Sequence, residues 1–161
     1  MERPFENILV YINGSEESLA AGMAAIIMAK TTGAGLTAMY VVNTRALSDL
    51  VSARIFLPME QEEYRRDLEA DGDRYLRHVE KLAQEKDQKI TLCKISGSVQ
   101  NEIKDHIKKN NIDLLVLGGI GGIRSRRDEF LNEAERVMRS SPCPVLLIND
   151  DEFIWDRFES L

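Results

Sequence analysis

The chain has 161 residues, of which 43% are hydrophobic and 30% are charged, as in an ordinary globular domain rather than a disordered chain. Its formal net charge of −6 excludes a general nucleic-acid binder, because phosphate-backbone binding needs a basic surface. No basic region precedes an apolar run at the start, and no stretch is apolar for long enough to span a bilayer, so we expect a cytoplasmic protein with no membrane partner.

The amino-terminal segment predicts a strand followed by a helix. Residues 7–12 form a short apolar run rich in β-branched side chains, and the run stops at Asn13-Gly14 as a buried strand stops at its turn. Ser15 can cap the helix that follows. The apolar positions of that helix fall on one stripe before Gly33 ends it.

The next segment predicts a second strand, a loop and a long helix. Residues 36–42 repeat the buried-strand pattern, whereas residues 43–58 have no firm period and predict a loop with a short helical piece. Apolar residues recur every three or four positions in residues 59–86, among many charged ones. This pattern is typical of an amphipathic helix with one solvated face.

The second half of the chain continues the alternation. Residues 89–95 predict a third strand, and residues 99–109 have helical spacing. A fourth strand, residues 113–117, runs directly into the glycine-rich loop Gly118–Gly122. After a further helical stripe that includes Phe130 to Met138, the chain ends in a fifth strand, Val145–Ile148, and an acidic tail.

Strands that alternate with helices predict an α/β fold with a three-layer, doubly wound, open and mainly parallel sheet covered by helices on both faces. No internal repeat or linker interrupts the series, so we expect a single domain over residues 1–161. The tail, residues 149–161, carries three aromatic side chains (Phe153, Trp155 and Phe158). We expect it to dock against the domain.

Two loops follow strands at the edge where open α/β sheets bind ligands, beyond the carboxyl ends of the strands. They are Asn13–Ser15 and Gly118–Gly122. Four glycines in five residues would let backbone amides approach a phosphate closely, although a tight turn needs the same glycines with no ligand. The loop has neither the Walker motif of P-loop ATPases nor the G-x-G-x-x-G of dinucleotide enzymes.

Three separated signatures resemble the universal stress protein family, and the likeness extends from about residue 5 to residue 149. They are Ile8-Leu9-Val10 with Asn13-Gly14-Ser15-Glu16-Glu17-Ser18, then Asp113-Leu114-Leu115-Val116-Leu117-Gly118, then Pro142-Cys143-Pro144-Val145-Leu146-Leu147-Ile148. The resemblance implies an adenine nucleotide alpha hydrolase-like sheet of five strands in the order 3-2-1-4-5. It also implies a homodimer and, in one branch of the family, an ATP site.

The ATP-binding branch carries a glycine, two residues, a second glycine, nine residues and then glycine with serine or threonine. Gly118 and Gly121 match the first two glycines, whereas Leu131-Asn132 replaces the final pair and Asn13 replaces the usual aspartate after strand one. Magnesium would arrive only with the nucleotide. The candidate nucleotide-binding residues implied in this way are Tyr11, Asn13, Val41, Gly118, Gly119, Gly121, Gly122, Arg127 and Asn132.

Several of these candidates could instead serve the fold with no ligand bound. Val41 matches the family position that packs on adenine, but a strand valine also belongs in a core. The basic cluster Arg124–Glu129 can clamp phosphates or form an exposed, salt-bridged helix start. Asn132 can cap a helix, and Glu133 would bring negative charge to that helix start, which opposes a triphosphate.

The cysteines and histidines predict no metal or redox site. Cys93 and Cys143 are far apart and form no C-x-x-C pair, so we interpret both as buried, reduced thiols. His78 and His106 fall in charged helical stretches and are interpreted as solvated residues.

The sequence favours a non-catalytic regulatory or binding module that responds to an adenine nucleotide, because no nucleophile stands beside a general base. The alternative is an ATP-binding protein with slow ATPase activity that uses the Gly118–Gly122 loop. A phosphoacceptor receiver domain is set aside because Asn13 and Gly14 stand where its acids should be. As partners we expect a second copy, paired through the edge strand Val145–Ile148, and an unidentified protein.

Overall fold

The computed structural model describes residues 2–119 and 133–161. Strands and helices alternate through these two ranges, as the sequence pattern predicts. In chain order they are β1 (Asn7–Tyr11), α1 (Glu16–Thr32), β2 (Gly35–Val42), α2 (Thr44–Ser52), α3 (Pro58–Glu85), β3 (Thr91–Ser96), α4 (Val99–Lys109), β4 (Leu114–Gly118), α5 (Ala134–Ser140), β5 (Val145–Ile148) and α6 (Asp151–Glu159).

The five strands form one parallel sheet in the order β3-β2-β1-β4-β5. This confirms the predicted fold class and strand order. Because successive side chains of a strand point to opposite faces, Ile8 and Val10 of β1 belong to one core with α1, α3 and α6, whereas Leu9 and Tyr11 belong to another with α4 and α5. The molecule therefore has three layers.

Helix α1 is buried on more sides than its apolar stripe predicts. Helices α3 and α6 both pack against it in addition to the sheet. Small side chains make this crowding possible, since the Val79 methyl groups of α3 come within 3.5 Å of where a Cβ on Gly22 would lie. Its buried residues are Ser18, Ala20, Ala21, Gly22, Met23, Ala24, Ala25, Ile26 and Ala29.

The segment predicted as a loop is mostly helical, since α2 occupies residues 44–52. Asn43 is buried and its side-chain Oδ1 accepts a 3.0 Å hydrogen bond from the Ala46 N–H, which caps the helix. Leu47, Leu50 and Phe56 form a small separate core. These apolar residues are too few to show a clear period, which explains the incomplete prediction.

The acidic tail forms α6, which packs along α1. Phe158 is buried, with the Lys86 Nζ 4.9 Å from the centre of its ring. Phe153 and Trp155 remain 52% and 46% exposed. The expected docking of the tail against the domain is therefore confirmed, and Phe158 is the aromatic side chain that it buries.

No helix within the described residues is both long enough and apolar enough to cross a membrane.

We predict that Gly72→Ala destabilises the protein although alanine usually favours a helix over glycine by about 1 kcal/mol. A Cβ on Gly72 would lie 2.5 Å from Cδ1 and 2.7 Å from Cε1 of Tyr40, whose ring is buried and has little room to retreat. The expected loss of unfolding free energy is about 1–3 kcal/mol, measured by urea unfolding.

Gly22→Ala is the matched control, because the nearest atoms to its Cβ would lie at an ordinary 3.5 Å. We expect it to be neutral or stabilising by up to about 1 kcal/mol. Equal stabilisation by both substitutions would show that Tyr40 does not constrain the approach of α3 to β2.

Candidate functional site

The loop after β1 is held by hydrogen bonds within itself. Asn13 Oδ1 accepts from the Ser15 N–H at 3.0 Å and from the Ser15 hydroxyl at 2.6 Å, and the Asn13 N–H donates to Ser18 Oγ at 3.2 Å. Ser15 in turn caps α1 by accepting from the Ser18 N–H. Asn13 is exposed, so its Nδ2 amide remains the group of this side chain with which a ligand could bond.

The end of β4 packs directly against the first turn of α1. A Cβ on Gly118 would lie 2.5 Å from the carbonyl carbon of Glu17 and 2.7 Å from the backbone nitrogen of Ser18. The end of β4 therefore lies beside the first turn of α1, directly after the loop Asn13–Ser15. Gly118 is required by this packing alone, so its presence does not by itself indicate a ligand.

Gly119 lies beside the end of the neighbouring strand. A Cβ there would stand 3.0 Å from the Ile148 carbonyl oxygen, which leaves little space for a side chain. This contact places the start of the glycine-rich loop between β4 and β5. The other four sequence-based candidates, Gly121, Gly122, Arg127 and Asn132, lie outside the described residues, as do Leu131 and the basic cluster 124–129.

Tyr11 and Val41 lie at the carboxyl ends of β1 and β2, where Tyr11 is the last residue of its strand and Val41 the last but one. They are 6% and 4% exposed and belong to the same core, on the face of the sheet covered by α4 and α5. Burial raises the pKa of the Tyr11 hydroxyl well above its usual range, and the nearby Tyr40 and Glu133 raise it further. Val41 thus belongs to the core.

Glu133 adds a buried carboxylate to this edge of the molecule. Its side chain is only 10% exposed, and its Oε1 lies 3.4 Å from Nη1 of Arg136. Burial raises the pKa of Glu133, Arg136 opposes that shift, and Asp49 and Arg45 of α2 also act on the carboxylate. Residues of β1, α2 and α5 therefore converge here.

Sequence reasoning identified Glu133 as a charge at a helix start but missed Arg45 and Asp49. These two form their own ion pair across α2, with 3.9 Å between Arg45 Nε and Asp49 Oδ1. No local signal predicted that they act on Glu133, because the segment that contains them shows no firm period in the sequence.

Burial is the main influence on those cysteines and histidines whose pKa is shifted. Cys93 and Cys143 are free thiols but only half-buried, so the prediction of fully buried cysteines is wrong; burial nevertheless raises the pKa of both. Burial lowers the pKa of the half-buried His106, while His78 is exposed. Within residues 2–119 and 133–161, no three His, Cys, Asp or Glu side chains form a group that could hold a metal ion.

Comparison with known proteins identifies related sequences over most of the chain. The sequence model described as "Universal stress protein family" matches residues 4–149. Universal stress protein MJ0531 of Methanocaldococcus jannaschii is 34% identical over 91% of this chain and 84% of its own length.

Solved structures share the fold. UspA of Lactobacillus plantarum has a TM-score of 0.70 and 25% identity, covering 92% of this chain and 100% of its own. More distant structures are a universal stress protein in complex with cAMP (TM-score 0.62, 20% identity, 90% of this chain and 97% of its own) and a family protein of Arabidopsis thaliana with AMP bound (TM-score 0.62, 18% identity, 91% and 94%).

We predict that Gly118→Ala destabilises the fold by about 2–4 kcal/mol, because its Cβ would overlap backbone atoms of α1 that cannot rotate away. Gly35→Ala, at the start of β2, is the control. Its Cβ would first meet the end of the Asn7 side chain, at 3.3 Å, and a side-chain end can move aside. Chemical unfolding should show a large loss for the first and at most a small one for the second. Similar values for both would contradict the packing of β4 on α1.

Proposed function

The chain belongs to the universal stress protein family, and from that premise we propose that it is a non-catalytic binding module for an adenine nucleotide. The observation that carries this proposal is the meeting of the β1 and β4 exits at one edge of the sheet, where Gly118 packs on the first turn of α1. Ligands of open α/β sheets bind at this edge. Two structures of the same fold, with cAMP and with AMP, support the choice of ligand.

In the proposed complex, Asn13 contacts the base. Its Oδ1 is already engaged by Ser15, so the Nδ2 group would donate to an acceptor nitrogen of adenine. Val41 would support the ring from below, beside Tyr11. The backbone of Gly118 and Gly119 leads toward the phosphate, and the sequence motif extends that contact to Gly121, Gly122, Arg127 and Asn132. Any magnesium would enter with the nucleotide.

We propose a binding role rather than catalysis because the sequence offers no nucleophile paired with a general base. In this role the bound nucleotide would change the affinity of the protein for a partner protein. Slow ATP hydrolysis is the competing function, and release of inorganic phosphate from ATP in step with protein concentration would favour it.

The binding proposal predicts that millimolar AMP raises the melting temperature. A ligand that binds only the native state stabilises it by about 2.7 kcal/mol at one hundred times its Kd. Asn13→Ala should weaken AMP binding about 10-fold, the loss expected for one hydrogen bond. Asn110→Ala, which removes a comparable side chain at the end of α4, should bind AMP like the unmodified protein. No shift with AMP, cAMP or ATP would contradict the proposal.

We also propose that the protein forms a homodimer through β5, which is one of the two edge strands of the sheet. Pro144 O accepts from the Leu115 N–H at 2.9 Å, and the alternation along a strand then directs the N–H groups of Val145 and Leu147 to the open edge. Unpaired edge groups of this kind favour pairing with another strand. Two-fold pairing would satisfy both copies.

Light scattering should therefore give twice the chain mass of 18.3 kDa. Leu147→Pro removes the edge N–H and should shift the protein to monomer. Leu147→Ala loses more of the same apolar side chain but keeps the N–H, so it should remain dimeric. A monomeric unmodified protein, or equal dissociation of both variants, would refute pairing through this edge.

A further inference from the structure

We propose that a groove between α1, β5 and α6 binds a free medium-chain carboxylate, a ligand with a straight hydrocarbon tail and one negative charge. The groove has a volume of about 390 Å³, and small-molecule sites usually occupy roughly 300–1,000 Å³. Among the described candidates for nucleotide binding, none lines this groove, so the inference goes beyond the proposed function. Its apolar lining includes Ile27, Met28, Leu146, Ile148, Phe153 and Ile154.

The helix that forms one wall of the groove lies beyond the matched family region. The family model covers residues 4–149, whereas α6 follows that region and packs along α1. The helix therefore turns an apolar face of α1 and β5 into a groove. Phe153 lines the groove and is nonetheless 52% exposed, so an apolar ligand could cover much of its ring and gain from that burial.

Arg157 supplies a positive charge at one end of the groove. Its guanidinium carbon lies 4.8 Å from the centre of the Phe153 ring, a cation–π contact that holds the charged group against the apolar lining. In the part of the chain that the structure describes, Arg157 forms no ion pair. Asp156 and Glu159 are one and two positions away, a spacing at which helix side chains do not face each other. The guanidinium can therefore bind a carboxylate through two parallel hydrogen bonds.

An acidic residue at the other end of the groove sets the direction of the ligand. Asp150 also lines the groove, and its Oδ1 caps α6 by accepting a 3.0 Å hydrogen bond from the Phe153 N–H. Seven residues separate Asp150 from Arg157, which corresponds to roughly 10 Å along a helix. A carboxylate is attracted to Arg157 and repelled by Asp150, so the hydrocarbon tail points toward the end of β5.

The Arg157 end of the groove lies at the amino-terminal edge of the sheet. The next residue, Phe158, contacts Lys86, which follows α3 and precedes β3. The Lys86 Nζ also donates to the Leu161 carbonyl oxygen at 3.4 Å. This edge is opposite the carboxyl ends of β1 and β4, so the carboxylate head group and a nucleotide would bind at opposite edges of the sheet.

The first test measures Kd by calorimetry for octanoate, decanoate and 1-octanol, each below the concentration at which it aggregates. Two further buried methylene groups should make decanoate bind about 10-fold more tightly than octanoate. Octanoate should bind at least about 10-fold more tightly than 1-octanol, which has the same tail without the charge. Equal Kd values for octanoate and 1-octanol would overturn the inference.

Two pairs of variants test the two parts of the site. Arg157→Gln should weaken octanoate binding about 10-fold and change 1-octanol binding less than about 2-fold, because it removes only the charge. Arg66→Gln, at a 75% exposed side chain of α3, is its matched control and should change neither. Phe153→Ala removes part of the apolar wall and should weaken both ligands. Trp155→Ala changes the other exposed aromatic residue of α6, which does not line the groove, and should change neither.

The remaining outcomes also decide the inference. No binding of either carboxylate at millimolar concentration, or an equal effect of Arg157→Gln on octanoate and 1-octanol, would overturn it. A decanoate affinity that falls as the protein concentration rises would show that a second copy covers the groove, which would overturn it as well. Nucleotide binding is measured separately, so none of these results bears on the proposed function.

Discussion

Backbone packs against backbone where β4 ends and α1 begins. The absence of a side chain at Gly118 lets the fourth strand approach Glu17 and Ser18 more closely than any other residue would permit. This approach joins the exits of β1 and β4, which are neighbouring strands in the sheet. The meeting of these two strand exits depends on it, because a side chain at position 118 would push β4 away from the first turn of α1.

The polar groups at this edge are largely satisfied by one another. Asn13 is held by Ser15, and Glu133 is held by Arg136. Among the residues that the structure describes, Asn13 Nδ2 and Glu133 therefore differ in what they could offer a ligand: the first is a donor on an exposed side chain, and the second is already paired.

The pattern of strands and helices was sufficient to predict the layers, and the family resemblance supplied the strand order, but neither predicted which side chains surround Glu133. A strand that is covered by helices on both faces is apolar along almost its whole length, as residues 113–117 are, so the sequence shows such a strand directly. The periodicity of apolar residues shows only which face of a helix is apolar. It could not show that α3 and α6 both cover α1, or that α2 brings Arg45 and Asp49 toward Glu133, because these contacts are set by packing between distant segments.

The resemblance to the universal stress protein family implied the correct strand order, while the chain departs from the motif of the ATP-binding branch after β1 and at Leu131-Asn132. Asn13 stands where that branch has an aspartate, which removes a negative charge at the β1 exit. An ionised aspartate at position 13 could only accept hydrogen bonds, whereas the asparagine amide also carries a donor. Because Asn13 Oδ1 already accepts from the Ser15 N–H and hydroxyl, the Nδ2 donor is the group that this replacement adds at the β1 exit.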